Sequence, residues 1–487
     1  MCQTLAEGGR RCSSASVYSR EVRNIQARKQ YYLRKAAQAT TKTEKRKFEL
    51  KADKQYATLI DFAYAHEIYG YAGMRSFEMS VTPEIEKVLN RLRVDHMEPY
   101  IVGGSVRDSF LGLESKDMDI EVYGAPVEQV IKSLRKLGQV DEVGKAFGVL
   151  KIHLGDEDID VSLPRTDSKV GDGHRGFDIA VDPYMKPHKA AERRDFTINA
   201  MMYDHERKVL LDPYNGVEDL KNKKLRHVSD AFDEDPLRVL RGVQMASRFG
   251  MEIAPETIEK SKTLKDGFND LATERVQMEF NKMFTKGKDA PKAFQALKAT
   301  EWDENFSGLK EVNNSKLWTN LERVDRSSLK GEKKISLMSA VCVTDMPKKD
   351  AEKFLQKTVT RDDTRATARR LYEISPPAKQ GTTEMKRWAQ EIGNSTNIRE
   401  WCQYQELLGN SVEANKVFKK AEQVGVLDRP EPDLLLGRDV LDMFPERKPG
   451  KWMGALLREA RSKQEEGVYG TKDAALAWLK NNMPEEG

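Results

Sequence analysis

Two aspartates one residue apart, Asp117 and Asp119 in the run KDMDIEV, constrain this chain more than any other feature. Met118, Ile120 and Val122 alternate with the acids as in a half-buried strand, and residues two apart on a strand share a face. Both carboxylates therefore project into one space, where they repel. Such a pair is most easily tolerated with a divalent cation between the acids, and hard oxygen ligands suit Mg²⁺ in phosphoryl transfer. A third carboxylate is expected from a neighbouring strand. DEDIDVSL offers Asp160, with Ile159, Val161 and Leu163 alternating against it. Asp158 shares that face nearer the strand's start, and Glu121 shares the face of Asp117 and Asp119 as a competing third ligand. Asp160 is the first choice.

Upstream, the apolar run YIVGG leads into Gly103, Gly104, Ser105, Val106, Arg107 and Asp108, a strand entering glycines and then a helix. Amides freed at such a turn, a helix N-terminus and a guanidinium together favour a phosphate, although the same glycine pair also serves a plain tight turn. Around this point the pattern alternates: a helix over 83–93 opened by Thr82 and Pro83, strand, helix, strand, a helix over 126–137, and strands near 149–163. Ser168 to Ala190, with Gly171, Gly173, Gly176, Pro183 and Pro187, reads as a long loop. After about residue 230, helical periodicity dominates, as in LRVLRGVQMASRF and ERVQMEFNKMF. The expected class is α+β, a mixed-sheet domain followed by an all-α remainder.

A length of 487 residues suggests about three domains, and 39% hydrophobic with 33% charged residues suits packed cores under a charged surface. The net charge of +4 is small, so a polyanion would have to be met by local basic patches. Cys2, Cys12, Cys342 and Cys402 are spaced neither as a disulfide framework nor as a zinc site. No run approaches the roughly eighteen apolar residues that span a bilayer, and MCQTLAEGGRRCSSAS lacks a signal-peptide core. A cytoplasmic protein without membrane contact is expected. Residues 1–80 read as a basic helical arm of unassigned role, either a solvated extension or an RNA contact.

GGSVRD followed by KDMD resembles the nucleotidyltransferase motif of the class II CCA-adding enzymes and bacterial poly(A) polymerases. Further motifs follow in the family's order. Arg193-Arg194-Asp195-Phe196-Thr197-Ile198-Asn199-Ala200 is similar to its R-R-D-F-T-x-N-A motif, and Asp212-Pro213-Tyr214-Asn215-Gly216 with Asp219-Leu220 to its hinge-like segment. Glu234-Asp235-Pro236-Leu237-Arg238, running on to Arg241, resembles the E-D-x-x-R motif that reads the incoming base, and Glu274-Arg275-Val276 with Glu279 the helix supporting it. LLLGRDVLDMFPERKPGKWMGALLREARSKQEEG resembles, more loosely, a tRNA-binding tail segment. The motifs occupy a little under half of the chain.

The resemblance implies a polymerase beta-like nucleotidyltransferase head over 81–229, a helical neck over 230–300 and an all-α body and tail over 301–487. It implies two Mg²⁺ ions held by Asp117, Asp119 and Asp160, with CTP and ATP as substrates. Nucleotide contacts would come from Gly103, Gly104, Ser105, Arg107, Arg193, Arg194, Asp195, Asn199, Asp235, Arg238 and Arg241. The partner would be the tRNA 3′ end, with no DNA expected. Alternatives within the family are a poly(A) polymerase and enzymes adding only CC or only A; outside it stands an RNA-binding protein with a decayed metal site. Poly(A) members tend to carry basic C-terminal extensions, whereas this sequence ends in NNMPEEG, which favours tRNA. The last histidine is His227, so the histidine-rich phosphohydrolase domain of some members is not expected.

Overall fold

The computed structural model describes residues 27, 30–41, 43–48, 51, 74–115, 117–169, 177–393 and 395–482. Most of the expected arm lies outside them; within it, 30–38 and 43–48 are helical. The chain divides into two compact units, Met1–Leu271 with Ala299–Glu301, and Ala272–Lys298 with Trp302–Gly487.

In the first unit, strands β1 (Met74–Ser76), β2 (Glu98–Val102), β3 (Asp119–Tyr123), β4 (Gln139–Asp141), β5 (Val149–Leu154) and β6 (Glu157–Ser162) precede a separate hairpin of β7 (Arg165–Lys169) and β8 (Phe177–Val181). β9 (Met202–Asp204) and β10 (Val209–Leu211) complete one eight-stranded sheet in the order β1-β10-β9-β2-β3-β6-β5-β4. Its pairs are antiparallel except β3 with β6. The centre is apolar: Ile101, Ile120, Val122, Ile152 and Val161 are buried, and Tyr100, Val102, Tyr123, Met202 and Leu211 form a cluster with Ala190, Ala191 and Ala200.

Helix α1 (Pro83–Val94) forms where the sequence predicts. Thr82 Oγ1 accepts from the Ile85 amide, Pro83 opens the first turn, and Ile85, Val88, Leu89 and Leu92 recur at helical spacing on the buried face. Thr82 Oγ1 also donates to Glu157 Oε2 at 2.9 Å, tying the helix start to β6. Helices α2 (Gly104–Phe110), α3 (Val127–Leu134), α4 (Pro187–Ala191) and α5 (Gly216–Lys221) follow between strands.

Three expectations change. The stretch from Ser168 to Ala190 is not simply a loop. Lys169 pairs with Phe177 and Arg165 with Val181, so the segment begins in a hairpin whose connecting glycines lie outside the described residues, and it ends in α4. The alternation of Phe177, Ile179 and Val181 is the strand signal that the nearby glycines obscured. Met74–Ser76, assigned by sequence to the arm, pairs with Val209–Leu211 and so belongs to the sheet. The all-α reading after residue 230 also starts too early for a domain boundary. Helix α6 (Leu237–Phe249) is followed by β12 (Glu252–Ile253), which pairs in parallel with β11 (Lys224–Leu225), and then by α7 (Pro255–Thr263), all in the first unit.

In the second unit, no strand occurs among the described residues. Helix α8 (Thr273–Lys286) supplies Phe280 and Phe284, and Phe280 packs against the rings of Phe284, Phe306 and Phe354 at 5.1–6.1 Å. Glu274, Arg275, Val276 and Glu279 lie on α8, with Glu279 buried beside Lys282 at 2.8 Å. Helix Gly331–Val343 is buried continuously from Lys334 onward, the mark of a central helix. Cys342 and Cys402 are buried and unpaired. Among the described residues no helix is long and apolar enough to cross a membrane.

Gly216 shows how closely the first unit is packed. Its amide donates to Asp212 Oδ1 at 2.6 Å, Val217 donates to Oδ2 at 3.0 Å, and a Cβ at Gly216 would overlap the Thr197 carbonyl. Gly216→Ala is expected to destabilise the first unit by about 1–3 kcal/mol through overpacking, read as a lowered thermal midpoint; an unchanged midpoint would show that the backbone gives way without cost.

Candidate active site

The turn after β2 is built on glycine for a conformational reason. Gly103 has φ +77°, which L side chains rarely adopt, and a Cβ there would stand 3.0 Å from Arg194 Nη1. Val102, the residue before it, pairs with Asp119, so the glycine turn lies beside the leading end of β3. Ser105 is buried and its hydroxyl donates to the Val102 carbonyl at 3.4 Å.

β3 and β6 run parallel with Ile120 beside Val161, which sets Asp119 and Asp160 at the same level of the sheet. Asp117 precedes β3 rather than lying within it, so shared strand geometry covers Asp119 and Glu121 but not Asp117. Asp119 nonetheless feels all of these acids. Although its side chain reaches solvent, desolvation by the surrounding walls pushes its carboxyl above the usual range; Arg194 opposes this, while Asp160, Asp117 and Glu121 add to it. A cation beside these acids would relieve their repulsion.

Among the described residues, no three His, Cys, Asp or Glu side chains are gathered closely enough to hold a metal ion as they stand. Mg²⁺ is usually bound through one or two carboxylates together with substrate phosphates rather than in an all-protein cage. Asp117 and Asp119 suit that role. Asp160, 49% exposed, is instead engaged across the hairpin by Lys151, with Nζ 3.0 Å from Oδ1. Asp158 is paired in the same way with His153 Nδ1 at 2.5 Å. Lys151 was not singled out by sequence reasoning, although a hairpin turning at Gly155 sets residues 151 and 160 opposite each other.

Glu121 is not available as a ligand. It is 0% exposed, and its Oε1 lies 3.0 Å from Arg193 Nη2, its Oε2 3.4 Å from Arg194 Nη2, while Tyr123 Oη donates to Oε2 at 2.7 Å. Burial alone would raise its pKa, but Arg194, Arg193 and the Tyr123 bond outweigh burial and hold it below the usual range. The competing-ligand reading is thus corrected, because a fully buried carboxylate held by two guanidinium groups faces no open coordination space.

Arg107, expected on a phosphate, is 6% exposed and engaged in this structure. Its Nε and Nη2 donate to Asp108 Oδ1 at 2.8 and 2.6 Å, its Nη1 to Asn199 Oδ1 at 2.5 Å, and it lies 4.6 Å from the Phe249 ring centroid. Asn199 Nδ2 donates to Asp195 Oδ1 at 2.9 Å, and Asp195 Oδ2 accepts from Arg241 Nε at 2.8 Å. Arg107, Asp108, Asp195, Asn199 and Arg241 therefore form one chain of bonds, buried up to the part-exposed Arg241, joining α2, the Asp195–Asn199 turn and α6. Burial would raise the Asp195 pKa, yet Arg241, Asn199 and the Phe196 amide keep it low. Asp108, to which the sequence assigned no role, is the hub for Arg107 and for Arg248 at 3.3 Å.

Asp235 and Arg238 stand at the start of α6. Asp235 Oδ1 accepts from the Leu237 amide at 3.2 Å, and Arg238 donates to two carbonyls, Ala231 O and, at 2.7 Å, Arg193 O. Arg238 thus anchors the backbone that carries Arg193 and Arg194. Removing the Asp195 carboxylate would take a buried acceptor from Asn199 and an ion-pair partner from the part-exposed Arg241. Asp195→Ala is expected to cost about 1–3 kcal/mol of stability, measured as a fall in the urea midpoint; an unchanged midpoint would make the network dispensable.

Comparison with known proteins agrees with this geometry. Residues 99–226 match the poly A polymerase head domain, and residues 250–302 match the model described as a probable RNA and SrmB-binding site of polymerase A. The chain is 40% identical over 195 residues to the multifunctional CCA protein of Xylella fastidiosa (strain M23), covering 39% of this chain and 45% of that protein. It is 39% identical over 210 residues to the CCA-adding enzyme of Coxiella burnetii (strain RSA 493 / Nine Mile phase I), covering 42% of this chain and 53% of that one. The chain thus spans about half the length of these curated relatives. Among solved structures, the Bacillus stearothermophilus CCA-adding enzyme in complex with CTP superposes with a TM-score of 0.59 at 19% identity over 82% of this chain and 98% of that one. The Thermotoga maritima CCA-adding enzyme complexed with tRNA gives 0.55 at 20% identity over 84% and 99%. Over residues 99–226, the chain is thus similar to the head domain of poly A polymerases and to CCA-adding enzymes.

Proposed function

We propose that this chain is a cytoplasmic nucleotidyltransferase that adds C, C and A to the 3′ end of tRNA from CTP and ATP, without a nucleic-acid template. The observation that carries the reading is the register of β2, β3 and β6. It sets a glycine turn bordered by Arg194 beside Asp119 and Asp160, two acids brought to one level of the sheet. Asp117 and Asp119, with Asp160 as the third acid, would hold two Mg²⁺ ions, which supply charge neutralisation on the triphosphate and a lowered pKa for the attacking hydroxyl. Gly103, Gly104 and Ser105 shape the turn along which the triphosphate lies, and Arg193 and Arg194 face its negative charge. Arg107 acts through Asp108 and Asn199 to hold that turn. The transfer joins the 3′ oxygen to the α-phosphorus and releases pyrophosphate, so positioning and charge suffice and no Ser, Cys or His nucleophile is required.

Base choice follows from donors and acceptors. A carboxylate only accepts and a guanidinium only donates. Cytosine offers its N4 amine to Asp235 and its N3 and O2 to Arg238, and adenine offers N6 and N1 in the same sense. Uracil and guanine set a carbonyl against the carboxylate and an N–H against the guanidinium. The bonds from Asp235 to the Leu237 amide and from Arg238 to two carbonyls pre-set both side chains.

Asp117→Ala and Asp119→Ala are expected to reduce transfer of every nucleotide by roughly a thousandfold or more while tRNA binding persists. A gel of tRNA lacking its 3′ end, incubated with CTP, ATP or both, tests the product. Growth stopping after CCA supports the reading, a run of A marks a poly(A) polymerase, a stop after CC or a single A marks a partial enzyme, and no extension marks an RNA-binding protein. Asp235→Ala and Arg238→Ala should lower kcat/KM for CTP and ATP by about ten- to a hundredfold and narrow the margin over UTP and GTP. Equal losses for all four nucleotides would assign both residues to structure.

A further inference from the structure

Glu121 and Asp119 alternate on the same side of β3, two residues apart, yet they meet opposite fates: Glu121 is sealed in protein and Asp119 reaches solvent. Glu121 holds both arginines of the Arg193-Arg194 pair, at 3.0 and 3.4 Å. Arg194 is held by Nη2 on Glu121, and its Nη1 lies close enough to Gly103 that a Cβ there would stand 3.0 Å away. The Nε of each arginine is buried without a hydrogen-bond partner. One carboxylate thus faces two guanidinium groups, each with a donor still unsatisfied.

We propose that Glu121 is a positioning residue: it holds Arg194 at the glycine turn, toward the nucleotide's phosphates, and so keeps that guanidinium off the metal-binding acids. This rests on the nucleotidyltransferase reading and deepens it. Without the charge on Glu121, the next carboxylate along the same strand face is Asp119. Arg194 would close onto it, neutralising the acid that the cation needs and withdrawing a positive charge from the triphosphate. Arg193 stays in place through its backbone, because Arg238 Nη2 donates to its carbonyl at 2.7 Å. The swing therefore falls on the Arg194 side chain.

The test is Mn²⁺ binding followed by electron paramagnetic resonance on the full chain, beside the KM for CTP. Glu121→Gln, which keeps the shape and removes the charge, is expected to weaken Mn²⁺ binding by roughly tenfold and to raise the KM for CTP. Arg194→Met should raise that KM with Mn²⁺ affinity retained, and the double variant should recover Mn²⁺ affinity without recovering the KM. Wild-type metal affinity in Glu121→Gln would overturn the proposal. So would a weakened affinity that the double variant fails to restore, since Glu121 would then act only as a structural support. The titration needs no turnover, so a wild type that extends no RNA would sink the enzymatic reading while the order of Mn²⁺ affinities still decides the role of Glu121.

Discussion

The register that sets Val102 opposite Asp119 is the constraint on which the head's working edge depends. A strand has a period of two, so a slip of one residue would send Asp119 and Glu121 to the opposite face and bring Ile120 and Val122 to theirs. The register is held because Ile120 and Val122 are buried against one side while Tyr123 packs beside Tyr100 on the other, at 5.6 Å between ring centroids. The same pairing delivers Gly103 to the end of β3, and the parallel step to β6 adds Asp160. Hydrophobic pattern thereby determines the position of charge.

Around this edge the acids divide by environment. Asp108, Asp195 and Glu121 are buried, and each is bonded to at least one arginine: Arg107 and Arg248, Arg241, and Arg193 with Arg194. A buried charge is tolerable only when paired and hydrogen-bonded, and these pairs satisfy that condition. Asp117, Asp119 and Asp160 lie exposed, where water keeps repulsion affordable. Side chains of one type thus serve as internal braces and as an open acidic site, and burial separates the two uses.

Much of this was legible from sequence because it is periodic. Alternation in KDMDIEV and DEDIDVSL located β3 and β6, Thr82 with Pro83 located α1, and the doubled glycine after YIV located the turn. Partnerships between distant residues were not legible. Glu121 shares its strand face with Asp119, and nothing local says that residues 193 and 194 fold back to cover one acid and not the other. Arg107 reads as a phosphate ligand beside glycines; only the approach of Asn199 and Phe249 makes it a buried brace. The β7–β8 hairpin was obscured by the glycines that connect it, and β1, at three residues, was too short to stand out.

The bonds of Arg193 and Arg238 connect two tasks that the motifs list separately. Arg193 contributes its guanidinium to Glu121 and its carbonyl to Arg238, and Arg238 sits at the start of the helix that also bears Arg241, the partner of Asp195. Two residues after Arg193, Asp195 receives that helix again. The short segment from Arg193 to Asp195 is therefore held on one side by the sheet, through Glu121, and on the other by α6, through two arginines. In the proposed reading the sheet side faces the triphosphate and the helix side faces the base. In that reading a displacement of Arg238 accompanying a mismatched base would pull on the backbone carrying Arg193 and Arg194, and base fit and phosphate placement would be coupled rather than additive.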